Sequence, residues 1–335
     1  MLAVVAAFFA LTLVSRWHQV TAVKWSLHPG YFAVACAVLV TAYALVATLW
    51  ATALAKMAPV RVAAGVRIWF VANLARYVPG NVWSFVGAVE LARREGAPRR
   101  TTLAVMALTQ VLSVGVALLV GLPVLIAERD RLGRPVAVGL AVAAALLVAV
   151  VILWRPLERL ARRRYPDLGP VLDRVLRRGA VAPVATAGGE AAVETSGGAA
   201  WAVLPGARVI VGLALGYAVY WALTGLAFAA LVRAMFPLAA SDVPLAIAGY
   251  SASYAVGFLS LLTPGGLGVR EGVLVLALAP VMPAGPALVV ALVSRLWMML
   301  FELLGAVAAY ALERAVSGRR RPRAGAPAAP PARRR

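Results

Sequence analysis

The chain has 335 residues, of which 63% are hydrophobic and only 14% charged, with 33 basic against 13 acidic side chains. The apolar fraction of a soluble domain is near half, so this composition excludes an ordinary soluble fold and indicates a basic membrane protein. Cys36 is the only cysteine, and His18 and His28 are the only histidines, which excludes a disulfide scaffold and disfavours a metal site made of these residues. We predict no metal and no cofactor.

Five apolar segments are long enough to cross a membrane, since about 30 Å of hydrocarbon takes roughly 20 helical residues. We predict full spans over residues 31–55, 101–127, 135–154, 207–232 and 286–312. The N-terminal apolar run 1–14 is shorter and has no A-x-A-like cleavage site, which favours a first span clipped by start-site choice over a signal peptide. The sequence therefore predicts an all-α polytopic membrane protein with about six full spans.

Two further apolar segments, 68–91 and 243–282, are interrupted by Pro-Gly pairs at 79–80 and 264–265. Proline removes a backbone donor and glycine frees the backbone, so we predict a broken or re-entrant pair of short helices in each segment. Such breaks persist at membrane depth only where protein or a water-filled cavity receives the backbone polar groups. A kinked span or an interfacial loop is the alternative.

The distribution of lysine and arginine predicts the orientation of the spans. Segments 56–67, 93–100, 155–206 and the tail from 314 together hold 23 of the 33 basic residues, whereas the opposite set of loops holds six. The positive-inside rule places the first set in the cytoplasm. We predict a multi-pass protein of the cell (inner) membrane with a cytoplasmic basic loop at 155–206, a transmembrane domain over 1–315 and a disordered basic tail over 316–335. Arginine runs beside spans are topology signals rather than nucleic-acid sites, so we predict no nucleic-acid partner.

The sequence contains an internal repeat at an offset of 185 residues, which aligns 71–122 with 256–307 without gaps. The strongest matches share one register: Pro79 with Pro264, Gly80 with Gly265, Gly87 with Gly272, and Pro98 with Pro283. Each copy reads as a broken hairpin followed by a full span, about 61–127 in the first and 246–312 in the second. The predicted orientation makes the copies antiparallel, and inverted repeats with broken helices are typical of transporters whose site lies near the membrane midplane.

Six charged residues fall inside apolar segments: Arg76, Glu90, Arg270, Glu271, Arg295 and Glu302. A charge at the bilayer centre costs about 2.5 to 3.5 kcal/mol, so it is retained where it faces a partner or a cavity. Arg270 and Glu271 follow a glycine-rich run that allows close backbone approach to an anion, and the planar fork of arginine suits phosphate. Arg295 and Glu302 lie seven residues apart, hence on one helix face, which should look into the protein.

The same charges can instead pair with one another. Three pairings are open at this stage: Arg270 with Glu302, Arg295 with Glu271, and Arg76 with Glu90. Glu90 is also close enough to the cytoplasmic side for its carboxylate to reach water.

Two segments together resemble a known family. "NLARYVPGNVWSFVGAVELARREGAPRRTT" (73–102) and "FLSLLTPGGLGVREGVLVLAL" (258–278) resemble the lysylphosphatidylglycerol synthase transmembrane family, the flippase-like domain of multiple peptide resistance factor. The resemblance covers about residues 1–315, and the "PGGLGVREG" run is its specific part. The chain ends in a basic tail after the last span, so we expect a stand-alone member without the soluble aminoacyl transferase domain, and no lysyl-lipid synthesis.

The resemblance implies a lipid translocase that moves an aminoacylated phospholipid or a polyprenyl-phosphate lipid. Its motif residues, with the intramembrane charges, form the predicted substrate-binding set: Arg76, Tyr77, Pro79, Gly80, Asn81, Thr263, Pro264, Gly265, Gly266, Gly268, Arg270, Glu271, Gly272, Arg295 and Glu302. We expect membrane lipids as partners, with a separate glycosyltransferase or aminoacyl transferase, and no catalytic residue. The alternatives are a membrane-embedded glycosyltransferase or other lipid-modifying enzyme, and a non-transporting partner of such an enzyme.

Overall fold

The computed structural model describes residues 14, 17–21, 25, 27–75, 83–127, 207–259, 266 and 268–318. Throughout these ranges the regular structure is helical, without a strand, which confirms the predicted all-α class. Several predictions fall outside the described residues: nearly all of the N-terminal run, the Pro-Gly pairs at 79–80 and 264–265, the span at 135–154, the basic loop, and the basic tail from residue 319 onward.

The helices follow the predicted segments closely. They are α1 Trp17–Thr21, α2 Pro29–Ala55, α3 Val62–Leu74, α4 Trp83–Arg94, α5 Arg99–Ala127, α6 Ala207–Met235, a 3-10 turn Ala240–Asp242, α7 Val243–Leu259, α8 Val269–Leu278 and α9 Ala284–Gly318. Helices α2, α5, α6 and α9 are long and apolar enough to cross a membrane. They coincide with four of the five predicted full spans, and the fifth lies outside the described ranges.

Each of the two interrupted segments contains two short helices, and the Pro-Gly pairs lie outside the described residues, so their part in the break stays a prediction. In the first, α3 ends at Leu74 and α4 begins at Trp83; in the second, α7 ends at Leu259 and α8 begins at Val269. These helices have 13, 12, 17 and 10 residues, fewer than the roughly 20 that cross the hydrocarbon core. The order of two short helices followed by a long helix thus occurs twice among the described residues, as α3–α4–α5 and as α7–α8–α9.

The two copies pack against each other reciprocally. Helix α7 of the second copy packs along α5 of the first, and α3 of the first copy packs along α9 of the second. Arg67 of α3 reinforces the second contact, since it pairs with Glu313 of α9 and, at 2.8 Å, with Glu95 after α4. Helices α2 and α6 pack along each other beside the copies.

Small residues let these helices approach closely. A Cβ added at Gly121 of α5 would lie 2.7 Å from the backbone nitrogen of Ala252 in α7, and one at Gly225 of α6 would lie 2.7 Å from the Cα of Ile247. Neither position can therefore carry a side chain without moving the neighbouring backbone. Close small-residue contacts are the ordinary way in which helices associate in lipid, where the hydrophobic effect does not drive them together.

The long helices divide into an apolar outer face and a more polar inner face. On α9 the outer face carries large exposed side chains, namely Leu296, Leu300, Leu303, Leu304 and Val307. The inner face of the same helix buries Ser294 and Glu302. An exposed apolar face of this extent is suited to contact with lipid, and it leaves the polar side chains directed into the helix bundle.

Candidate functional site

The start of α8 is held by glycine backbone conformations that other residues adopt with strain. Gly266 and Gly268 have φ of +70° and +86°, in the region that L side chains rarely occupy. The backbone N–H of Gly268 donates a hydrogen bond to Oε2 of Glu271 at 2.8 Å, which satisfies one of the open donors at this helix start. The glycine-rich run therefore positions the Arg270–Glu271 pair at the first turn of α8.

Glu271 forms a buried ion pair with Arg295 of α9. Its Oε1 lies 2.5 Å from Nη1 of Arg295, and the two side chains are only 2% and 13% exposed. Of the three pairings that the sequence left open, this one is confirmed. Because one Glu271 oxygen binds Arg295 and the other binds Gly268, this carboxylate joins the α8 start to the last span.

Arg270 extends from the same turn into an aromatic environment. Its Nη2 donates to the hydroxyl oxygen of Tyr250 at 2.6 Å, and its guanidinium carbon lies 5.0 Å from the ring centroid of Tyr250 and 5.9 Å from that of Tyr254. Both rings belong to α7 and provide cation–π contacts. The side chain is thus held against α7 with its planar group in place.

Gly257 of α7, which the sequence did not predict as a site residue, makes this arrangement possible. A Cβ added at Gly257 would lie 3.0 Å from the Cβ of Arg270, and a Cβ added at Gly266 would meet the Gly257 carbonyl oxygen at 2.7 Å. The signal in the sequence is a lone glycine near the end of an apolar helix, which is weak by itself because glycine is common in membrane helices.

Glu302 is the second buried carboxylate of the site. It is 2% exposed, and its Oε1 accepts a hydrogen bond from the hydroxyl of Tyr43 in α2 at 3.2 Å. Glu302 and Arg295 line the same cavity, which confirms that the seven-residue spacing places them on one inward face. The carboxylate therefore ties α9 to α2 within the bundle.

These side chains border a cavity of about 130 Å³. Its charged lining residues are Arg270, Arg295 and Glu302, and Glu271 lies behind Arg295 rather than in the lining. The remaining walls are aromatic and neutral polar side chains from α2 to α7 and α9. The two guanidinium groups can therefore bind an anionic group inside the cavity, and one carboxylate lies in the same lining.

The cavity is lined by matching positions of the two copies. Six pairs of lining residues are separated by the repeat offset of 185, among them Asn73 with Phe258, Phe85 with Arg270, and Gln110 with Arg295. Gln110 and Asn73 were not predicted as site residues. The repeat alignment contained the signal for Gln110, since it places this polar residue of a predicted span in the register of Arg295.

The other predicted residues fall into two groups. Gly272 lies in α8, one residue after Glu271. Eight lie outside the described residues, so their positions stay predictions: Arg76, Tyr77, Pro79, Gly80, Asn81, Thr263, Pro264 and Gly265.

Glu90 lies away from the cavity, at the exposed end of α4. Its carboxylate pairs with Arg93 at 2.9 Å and Arg94 at 3.3 Å, and the hydrogen bond from Arg93 is the main cause that lowers the pKa of Glu90 to about 2. Glu90 is thus a surface carboxylate within its own helix. Across the ranges that the structure describes, no three His, Cys, Asp or Glu side chains cluster in a way that could hold a metal ion.

The family described as the lysylphosphatidylglycerol synthase TM region matches residues 1–306. The chain belongs to this family. The match covers both quoted segments and nearly all of the described helices, which confirms the resemblance drawn from those segments. No curated protein matches the chain. Membership, together with the four apolar helices, identifies a multi-pass membrane domain with a role connected to membrane lipids.

Proposed function

We propose that this family member is a lipid translocase, which moves a phosphate-bearing lipid head group across the cell membrane through the cavity between the two copies. The observation that carries this proposal is a cavity inside an apolar helix bundle that is lined by Arg270, Arg295 and Glu302. Charged side chains inside membrane proteins mark substrate pathways because their burial is otherwise costly. The lipid tails would stay in the bilayer while the head group crosses.

An inverted repeat is the architecture that we propose for this movement. The recurrence of helix order at an offset of 185 and the reciprocal packing of α3 with α9 and α5 with α7 support it. In such transporters the binding site lies between the repeats, which tilt against each other to open it to either side. The excess of basic residues at 155–206 and beyond Arg314 supports a cytoplasmic C-terminus.

The charged side chains of the site would have different roles in binding the head group. Arg270 would bind the phosphate oxygens directly, with Arg76 as its proposed counterpart near the first break. Arg295 would add a second guanidinium, which Glu271 holds in place through their 2.5 Å contact. Glu302 would balance this positive charge or accept an amino head group. Aminoacylated phospholipids and polyprenyl-phosphate lipids both offer the phosphate that this set requires, and a separate transferase would make either of them.

Purified protein in lipid vesicles tests the proposal. Phosphatidylglycerol with a fluorophore on one acyl chain is reduced by dithionite only in the outer leaflet. We expect vesicles with protein to lose the protected inner-leaflet fluorescence, whereas protein-free vesicles retain it. If vesicles with protein keep their inner-leaflet fluorescence as protein-free vesicles do, and a labelled polyprenyl phosphate gives the same result, lipid movement is contradicted. Mass spectra that show chemically altered lipid would favour the enzyme alternative.

A further inference from the structure

We propose that the head group for which this cavity is built is a phosphodiester that carries a hydroxylated ring, such as a hexose or inositol. This inference rests on the proposed function, because it names the lipid class that the same cavity would take. It follows from the different chemistry that the two copies contribute and from the aromatic walls.

The two copies contribute different polar groups to the cavity. The second copy contributes the charged Arg270, Arg295 and Glu302 to the lining, whereas the first copy contributes neutral groups, including the amides of Asn73 and Gln110 and the hydroxyl of Ser84. Ionic and neutral groups in one cavity complement a ligand with an ionic end and a neutral hydrogen-bonding end. Amides and hydroxyls bind hydroxyl groups as both donors and acceptors, so the neutral end should carry several hydroxyls.

The aromatic walls indicate that this neutral end is a ring. Trp50, Trp69 and Trp221 all line the cavity, and the indole N–H of Trp221 donates to the carbonyl oxygen of Ser113 at 2.9 Å, which fixes that side chain. A hexose or inositol ring has a face of C–H groups that packs on an aromatic side chain, while its hydroxyls project outward to polar partners. Of these three tryptophans Trp69 is the partly exposed one, and its indole face together with the amides of the lining suits both features of such a ring.

The cavity is too small to enclose a whole lipid. Pockets that enclose drug-sized ligands occupy about 300 to 1,000 Å³, and this cavity has about 130 Å³. The acyl chains of a bound lipid would therefore remain outside in the bilayer.

A matched pair of short-chain lipids tests the inference by binding, independently of transport. Phosphatidylinositol and phosphatidylmethanol carry the same phosphodiester charge, but only the first has a hydroxylated ring. Because three tryptophans line the cavity, intrinsic fluorescence of the detergent-solubilised full chain reports occupancy. We expect phosphatidylinositol to bind at least about tenfold more tightly than phosphatidylmethanol, since its ring hydroxyls add hydrogen bonds to the polar groups of the lining. Equal affinities would overturn the inference.

Two variants test which side chains cause the preference for phosphatidylinositol. In Gln110→Leu and in Ser84→Ala we expect the affinity for phosphatidylinositol to fall toward the affinity for phosphatidylmethanol. The affinity for phosphatidylmethanol itself should stay unchanged in these two variants. Arg270→Ala should lower the affinity for both lipids. An undiminished preference in both Gln110→Leu and Ser84→Ala, each with a wild-type melting temperature, would overturn the assignment. The outcomes separate the two proposals: a binding preference without lipid movement contradicts only the translocase, and movement of both lipids without a preference contradicts only the ring.

Discussion

Replacing Arg270 with alanine is expected to slow lipid movement in vesicles by about 10- to 100-fold, because a hydrogen bond to a charged group contributes about 1.5 to 3 kcal/mol. The guanidinium lines the cavity and is oriented by Tyr250 and Tyr254, so the variant removes the phosphate-binding group and leaves the walls in place. Dithionite reduction of acyl-labelled phosphatidylglycerol measures the rate.

Two further variants make this result specific. Arg270→Lys keeps the charge but loses the planar fork, so we expect an intermediate rate. Arg94→Ala is the matched control, since Arg94 is largely exposed and pairs with Glu90 at the surface, and it should move lipid at the wild-type rate. Wild-type movement by a well-folded Arg270→Ala protein would remove this residue from the mechanism.

Replacing Glu271 with glutamine should lower the free energy of unfolding by roughly 3 to 5 kcal/mol, the usual cost of removing one partner of a buried ion pair. The change leaves the positive charge of Arg295 in a site where the side chain is 13% exposed. Unfolding of the detergent-solubilised protein, followed by circular dichroism, measures the loss. We expect lipid movement to fall as well, since Glu271 positions both α8 and Arg295.

The controls for Glu271 use the other partner and a surface carboxylate. The double variant Glu271→Gln/Arg295→Gln should recover part of the stability, because it leaves no unpaired charge. Glu90→Gln should change the free energy of unfolding little, since solvent screens ion pairs at the surface. A Glu271→Gln protein as stable as wild type would show that the ion pair is not needed for the fold.

The sequence predicted the helices well because apolar length and Pro-Gly breaks act locally. Segment 101–127 became Arg99–Ala127, and the segment 243–282 divided into α7 and α8. The seven-residue spacing of Arg295 and Glu302 predicted a shared face because helix periodicity is also local.

The pairing of the charges could not be predicted in the same way. Arg270 and Glu271 are neighbours in the chain, and their directions depend on how α8 rests on α7 and α9. The choice is decided by the contact with Gly257 and by the hydrogen bond from Gly268, both of which are tertiary features. Gln110 is an uncharged residue in an apolar span, so only its register with Arg295 distinguishes it from an ordinary packing residue.

A reversible block at Ser84 tests whether lipid head groups pass through the cavity between the two copies. Ser84 lines the cavity and is partly exposed, and replacing Cys36 with alanine leaves Ser84→Cys as the one thiol in the chain. Val211→Cys on the outer face of α6, 57% exposed, is the matched control. With a bulky methanethiosulfonate on Ser84→Cys, we predict that lipid movement stops and returns when dithiothreitol removes the label, while labelled Val211→Cys moves lipid normally. Undiminished lipid movement with Ser84→Cys fully labelled would contradict passage through this cavity.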